Sequence, residues 1–203
     1  MTDLKTRDGQ KISSAFYKSK TDTRSLVLLL HMLGRSKEDW IDFAKRLTDK
    51  YNVLAIDFRG HGDSDGALEN FGKSDFEKFQ LDIECARDYI EKIGKKITCI
   101  IGGSIGANSA LVFGAENTID RLVLLSPGLD YKGIRTEEAA RKYAGKILLV
   151  ASEDDSFSAN SVRKLFNWTL AKKQMKIYQN AGHGTSMFAS TDMDELILNW
   201  LAE

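Results

Sequence analysis

The 203-residue chain is 42% hydrophobic and balances 29 Lys and Arg against 29 Asp and Glu, so its formal net charge is zero. These values predict a single domain over residues 1–203 with a substantial core, and without a basic tract they argue against nucleic acid or an anionic membrane as a partner. The polar N-terminus has no signal-peptide pattern, the apolar runs are too short to span a bilayer, and two cysteines fit a reduced, cytoplasmic protein.

The N-terminal quarter of the chain has strand patterns. Residues 3–6 and 12–17 flank Asp8-Gly9, a turn signal that predicts an antiparallel hairpin. The continuous apolar runs at 25–31 and 52–58 are typical of strands that are covered on both faces. We therefore expect a sheet that begins with a hairpin and continues with buried strands.

Helical patterns follow each of these buried strands. Ser36 precedes two acidic residues and then apolar residues at helical spacing, which predicts a helix that begins at Ser36. Ser74-Asp75-Phe76-Glu77 is a capping-box pattern, and it predicts a second helix that starts at Ser74 and ends at Gly94.

The most informative stretch is 96–115, KITCIIGGSIGANSALVFGA. A strand pattern runs into a turn around Ser104, and a helical pattern of small and apolar residues follows. Gly102 and Gly106 flank the serine in the G-x-S-x-G pattern of a nucleophile elbow, where glycine leaves room for a strained turn. Chance produces such a match in roughly one sequence in ten of this composition, so the strand before it and the helix after it carry the prediction.

The second half of the chain continues the alternation. The predicted elements are strands at 121–126, 146–151 and 174–178, and helices at 137–143, 161–170 and 193–201. With the hairpin and the earlier strands, this order predicts an α/β fold with about eight mostly parallel strands and helices on both faces. In such a sheet the site lies beyond the carboxyl ends of the strands.

Three kinds of side chain with complementary chemistry follow those strand ends. A serine hydroxyl becomes a nucleophile when a base accepts its proton and a carboxylate orients the base. His183 follows the last strand between two glycines, and Asp154 and Asp155 follow the strand before it. The chain order of serine, acid and histidine is that of the α/β-hydrolase triad.

On these residues the chain resembles the α/β-hydrolase family from end to end. The motifs that carry the resemblance are HMLG at 31–34, DFRGHGDSDG at 57–66, GGSIG at 102–106, ASEDD at 151–155 and AGHG at 181–184. The resemblance implies Ser104 as nucleophile, His183 as general base, and the backbone N–H groups of Leu33 and Ile105 as the oxyanion hole. The family tends to place the acid three positions after the small residue that ends the strand. Counting from Ser152 gives Asp155, with Asp154 as the alternative.

The sequence departs from the family pattern at two positions. Met32 stands where the family usually has glycine after its histidine, which makes Met32 an alternative oxyanion donor and a candidate substrate contact. Gly103 is often larger in the family, so we expect a thin pocket wall there.

The other two histidines have structural interpretations. His31 ends a strand and is expected to hold the oxyanion loop by hydrogen bonding. His61 lies among Asp57, Asp63 and Asp65, which could be drawn as a metal site. Hard-metal sites need converging ligands rather than a run along one loop, so we expect no metal and no other cofactor.

Phe157, Met187 and Phe188 come soon after the acid and the base and are expected to line the substrate pocket, with ordinary packing as the alternative. The interval 127–145 holds one short helix, too little for the cap domain that many family members carry. We therefore expect an open, shallow site for a small acyl ester or thioester, which also admits an acylated macromolecule. An amide, peptide or lactone hydrolase with the same triad, and a non-catalytic binding module, are the alternatives.

Overall fold

The computed structural model describes residues 2–203, and their strands and helices alternate as the sequence predicts. In chain order the strands are β1 (Thr2–Lys5), β2 (Lys11–Tyr17), β3 (Ser25–Leu30), β4 (Asn52–Ile56), β5 (Lys96–Gly103), β6 (Arg121–Leu125), β7 (Asp130–Tyr131), β8 (Ile134–Arg135), β9 (Lys146–Ser152) and β10 (Lys172–Tyr178). The α-helices are α1 (Ile41–Leu47), α2 (Lys73–Glu77), α3 (Phe79–Lys92), α4 (Ile105–Glu116), α5 (Glu137–Lys142), α6 (Ser156–Trp168) and α7 (Met193–Ala202). Short 3-10 helices lie at Lys37–Trp40, Leu68–Asn70 and Gly184–Ala189.

Eight strands form one sheet in the order β1-β2-β4-β3-β5-β6-β9-β10. The β1–β2 and β2–β4 pairs are antiparallel, and the remaining pairs, from β4 across to β10, are parallel. This arrangement confirms the predicted fold, and no cap domain covers the sheet within residues 2–203. The carboxyl ends of β3, β5, β6, β9 and β10 all meet at one edge of the sheet, which brings together the loops that hold the candidate site residues.

The core lies in two layers, one on each face of the sheet. One layer includes apolar residues of α3, α4, α5 and α6, and the other includes those of α1 and α7. Trp40 and Trp200 are almost fully buried in the second layer, where burial of a large apolar side chain stabilises the fold by about 1.5–3 kcal/mol. No helix among residues 2–203 combines the length and the apolar character that crossing a membrane requires.

Three helix starts differ from the sequence predictions. The helix predicted to begin at Ser36 starts as a 3-10 helix at Lys37–Trp40 and becomes an α-helix only at Ile41. The helix predicted to start at Ser74 begins one residue earlier, because the Asp75 carboxylate accepts a hydrogen bond of 3.0 Å from the backbone N–H of Gly72, which takes the cap position. Helix α6 begins five residues before the predicted position, because Asp155 caps it and accepts from the Ser158 N–H at 3.3 Å. Since α6 ends at Trp168, before the predicted end at residue 170, Leu170 lies outside the helix and is 90% exposed.

The sequence prediction also missed the small hairpin formed by β7 and β8 between β6 and α5. Its turn contains Lys132 and Gly133, which have φ values of 55° and 94°. Asp130 supports the turn by accepting a 2.7 Å hydrogen bond from the Gly133 N–H. Lys-Gly is a weaker turn signal than Asn-Gly or Asp-Gly, and two-residue strands are too short to show alternation.

A buried ion pair holds the loop that follows β4. The Asp57 side chain is completely buried, and it accepts hydrogen bonds from both the backbone N–H and the Nζ of Lys37, each at 2.7 Å. The Lys37 Nζ also contacts Asp63 at 2.8 Å. Burial alone would lower the pKa of Lys37, but the hydrogen bonds to Asp57 and Asp63 outweigh it and raise that pKa. Lys37 therefore stays charged and pairs with a carboxylate that has no access to water.

Replacing Lys37 with methionine is expected to lower the free energy of unfolding by roughly 3–5 kcal/mol, because it leaves the Asp57 charge buried and unpaired. Equilibrium unfolding in urea measures the change. The matched control is Lys45→Met, since Lys45 is exposed and, among residues 2–203, pairs only with the exposed Asp42. That control is expected to change stability by less than about 0.5 kcal/mol, and equal losses for the two variants would contradict this account.

Candidate active site

Ser104 occupies a strained turn between β5 and α4. Its backbone has φ 53° and ψ −118°, a conformation that costs a non-glycine residue about 1–3 kcal/mol. A Cβ at Gly102 would collide with the carbonyl oxygen of Gly106, and one at Gly106 would lie 2.6 Å from that of Leu30. Both glycines are therefore sterically required, and the turn has the geometry of a nucleophile elbow.

His183 and Asp155 meet at the neighbouring strand ends. The His183 Nδ1 donates a 2.6 Å hydrogen bond to Asp155 Oδ2, while Asp155 Oδ1 caps α6. Burial alone would raise the pKa of Asp155, but hydrogen bonds from Ser158 and His183 outweigh it and hold that pKa below its ordinary value. The ionised carboxylate fixes the proton on Nδ1 and leaves Nε2 as the basic nitrogen.

Asp154 has a different set of partners. Its carboxylate accepts hydrogen bonds of 3.1 Å from the backbone N–H groups of both Ala181 and Gly182, and it also bonds the Ser152 hydroxyl. Asp154 thus holds the backbone of the loop that precedes His183, whereas Asp155 contacts the imidazole. Of the two acids that the sequence left open, Asp155 has the geometry of the orienting acid.

Ser126 is a residue of this site that the sequence did not point to. It directly follows β6 with φ 50°, and its hydroxyl accepts a 2.9 Å hydrogen bond from the Gly184 N–H. Among residues 2–203, the Ser104 hydroxyl forms no hydrogen bond to His183. Such catalytic bonds are often long in the absence of substrate and tighten in the complex.

The loop after β3 is held by His31, as predicted. His31 Nδ1 donates to the Met32 carbonyl at 2.7 Å, and Nε2 accepts from the Phe58 N–H at 2.9 Å. Burial lowers the pKa of His31 to about 4, so the ring stays neutral near pH 7. Within residues 2–203 the N–H groups of Leu33 and Ile105 have no acceptor, which suits them to bind an oxyanion.

The two departures from the family pattern compensate each other. A Cβ at Gly103 would lie 3.0 Å from Met32 Cγ, and a Cβ at Gly184 would collide with Met32 Sδ. The Met32 side chain thus fills the space that both glycines leave open. The pocket wall expected to be thin at Gly103 is instead built by Met32.

The two phenylalanines and the methionine expected to line the pocket lie in different places. Phe157 is 53% exposed and packs beside the Tyr131 ring, with 5.5 Å between ring centroids. Phe188 packs against Phe43, with centroids 4.9 Å apart, on the other face of the sheet. Met187 is fully buried in the same core layer, so the prediction that it lines the pocket is wrong. The short 3-10 helix after His183 turns it inward.

The acidic residues around His61 bind other groups. Asp57 and Asp63 pair with Lys37, and His61 Nδ1 donates to the Arg59 carbonyl at 3.0 Å. Burial lowers the pKa of His61. Among residues 2–203, no three His, Cys, Asp or Glu side chains converge as metal ligands.

The family model for the alpha/beta hydrolase fold matches residues 25–143, more than half of the chain. The chain belongs to the alpha/beta hydrolase family. The match includes the elbow at Ser104 and the loop after β3, and it ends before Asp155 and His183.

Curated relatives match over part of their length. Monoacylglycerol lipase abhd6-B of Xenopus laevis is 30% identical over 120 residues, which are 56% of this chain and 34% of the lipase. An uncharacterized protein of Mycobacterium tuberculosis is 29% identical over 104 residues, 50% of this chain and 29% of its own. The match thus spans about a third of each relative's length.

Solved structures resemble this alpha/beta hydrolase over its full length. Est1E of Butyrivibrio proteoclasticus, solved with ferulic acid bound, has a TM-score of 0.78 and 20% identity and covers 100% of both chains. An esterase of Exiguobacterium antarcticum has a TM-score of 0.81 and 13% identity over 100% of this chain and 99% of its own. At these identities the likeness establishes the shared fold.

Proposed function

We propose that this alpha/beta hydrolase cleaves a carboxylic ester or thioester through an acyl-enzyme on Ser104. The observation that carries the proposal is the 2.6 Å hydrogen bond from His183 to Asp155, at the strand ends beside the elbow serine. An orienting carboxylate, a histidine with a basic Nε2 and a strained serine are the three parts that acyl transfer needs. Esterases and a lipase among the similar proteins support the same reaction class.

In the first half of the reaction, Ser104 Oγ attacks the acyl carbonyl while His183 Nε2 accepts the hydroxyl proton. The N–H groups of Leu33 and Ile105 bind the developing oxyanion, and each such donor typically lowers the barrier by about 2.7–4 kcal/mol. His183 then protonates the leaving alcohol or thiol. In the second half, His183 activates a water that releases the acid and restores Ser104.

The substrate is expected to be small at its acyl end. The hairpin β7–β8 and the helix α5 are the only elements that the chain places after β6 and before β9 within residues 2–203. With Met187 in the core, we take the apolar boundary of the site to be Met32, which packs beside Gly103, and the pair formed by Tyr131 and the exposed Phe157. This boundary is too small to bury a long acyl chain.

We expect kcat/KM for p-nitrophenyl esters to peak at short acyl chains and to fall for long ones, because each methylene gains about 0.8 kcal/mol only while it is buried. The experiment is an acyl-length series from acetate to palmitate on one leaving group. An acyl thioester, an anilide and a lactone measured beside it separate ester cleavage from the alternatives. Failure to hydrolyse any activated ester would refute the proposed function, and a steady rise toward palmitate would refute the shallow site.

A further inference from the structure

The hairpin β7–β8 is fixed rigidly beside Ser104 by a buried amide. The Asn108 side chain, on α4, is completely buried; it accepts a 2.9 Å hydrogen bond from the Gly128 N–H and donates one of 2.9 Å to the Ile134 carbonyl. The buried Thr136 hydroxyl donates to the Gly128 carbonyl at 2.8 Å. These bonds hold both ends of the hairpin to the helix that follows Ser104, so its side chains have defined positions.

The Tyr131 ring projects from this hairpin beside the general base. A Cβ at Gly128 would come within 2.7 Å of the Tyr131 ring, so glycine there lets the ring lie close over the backbone. The rings of Tyr131 and His183 meet edge to face, with centroids 6.4 Å apart. Such contacts favour one orientation of the imidazole over others.

The Tyr131 hydroxyl joins the loop after β6 to the first turn of α6. It donates to the Ser126 carbonyl at 3.3 Å and lies 3.1 Å from the Ser158 hydroxyl. Burial raises the pKa of Tyr131 and outweighs the effect of its hydrogen bond with Ser158. Tyr131 therefore stays neutral near pH 7 and keeps its hydroxyl proton to donate.

The topology places Tyr131 and the oxyanion loop on opposite sides of Ser104. β5 lies between β3 and β6 in the sheet. The oxyanion loop follows β3, and the hairpin follows β6. A group on the β6 side is poorly placed to bind the oxyanion, but it can restrict the side chain of His183.

We propose that Tyr131 is a positioning residue for the acid–base pair of this site. Its hydroxyl links Ser126, which accepts from the Gly184 N–H next to His183, to Ser158, whose N–H bonds Asp155, and its ring edge limits the swing of His183. Ser104 and His183 do not hydrogen-bond in this structure, so attack requires both side chains to reach one geometry together. Tyr131 acts by keeping His183 near that geometry. The proposal rests on the proposed function of the site.

The variant Tyr131→Phe tests this role because it keeps the ring and removes only the hydroxyl. We expect kcat to fall about threefold to tenfold, the loss of one neutral hydrogen bond, with KM unchanged within about twofold. The loss should be equal for an activated aryl ester and an alkyl ester, and the rate of labelling by a fluorophosphonate should fall by the same factor. Gly128→Ala, which displaces the ring, should lower kcat further.

The matched control is Tyr143→Phe, which removes a buried hydroxyl bonded to the Ile119 carbonyl at 3.1 Å, far from Ser104. It should leave kcat unchanged. A kcat of Tyr131→Phe within twofold of the parent would overturn the proposal, as would a loss confined to the alkyl ester or to KM. A parent that neither hydrolyses esters nor labels refutes both proposals, whereas an active parent with an unaltered variant refutes only this one.

Discussion

Ester hydrolysis by the Ser104→Ala variant is expected to fall about 10⁶-fold in kcat, the loss that follows removal of a triad serine. Alanine has no oxygen that can form the acyl-enzyme, so only water can attack a bound ester. The oxyanion donors and substrate binding remain, and these alone can sustain a rate about 10³–10⁴-fold above the uncatalysed one. The expected result is therefore a small residual rate rather than none.

The variant should fold normally. Serine and alanine both have a Cβ, so the cost of a φ of 53° at this position is similar for the two residues. The backbone N–H of Ser104, which donates to the Leu125 carbonyl at 2.8 Å, is retained. Thermal unfolding should thus match that of the parent closely.

The control for Ser104→Ala lies on α4, the helix that follows Ser104. Ser109 is completely buried, and its hydroxyl donates to the Ile105 carbonyl at 2.9 Å. Ser109→Ala removes a hydroxyl of the same type and should keep kcat within about threefold of the parent. Fluorophosphonate should label Ser109→Ala and fail to label Ser104→Ala. Hydrolysis by Ser104→Ala at the parent's rate would end the assignment of this serine as nucleophile.

The parts of this molecule with strong local signals could be predicted from the sequence. The buried strands are continuous apolar runs because helices cover both faces of the sheet, and the elbow at Ser104 needs glycines that only a close approach explains. Because strands and helices alternate along the chain, a mostly parallel sheet could be predicted. The site of such a sheet lies beyond the carboxyl ends of its strands, so the loops of Ser104 and His183 were expected to lie close together. These inferences depend on short stretches of chain.

The features that could not be predicted depend on pairs of residues far apart in the chain. Met32 contacts Gly184 across 152 positions, so neither residue alone indicates that one fills the space of the other. Met187 is two residues beyond a buried threonine in a short 3-10 helix, and no periodicity in the sequence shows which way it faces. The role of Tyr131 depends on Asn108, whose amide holds the hairpin.

The neighbouring acids give the second large expected effect. Asp155→Asn should lower kcat about 10⁴-fold, whereas Asp154→Asn should lower it less than about tenfold. Asparagine is as good a helix cap as aspartate, so α6 should keep its start. The two variants change the same atoms in adjacent residues, and each is therefore the other's control.

The direction of the amide explains why Asp155→Asn is so damaging. One oxygen at this position must accept from the Ser158 N–H at 3.3 Å, so the asparagine oxygen stays there and its NH₂ group faces His183 Nδ1. Since that NH₂ donates, Nδ1 must accept, and the imidazole proton moves to Nε2. A protonated Nε2 cannot take the proton of Ser104. The fold is intact, but the base has the wrong tautomer.

Asp154→Asn has a milder consequence because Asp154 bonds only backbone N–H groups and a hydroxyl. Its carboxylate accepts from both Ala181 and Gly182, and the amide oxygen of asparagine can keep one of these bonds. Losing the other loosens the loop before His183 without altering the imidazole tautomer. Steady-state kinetics on one activated ester, with thermal unfolding of both variants, decides between them. Equal losses in kcat, or a larger loss for Asp154→Asn, would assign the orienting role to Asp154 or to both acids.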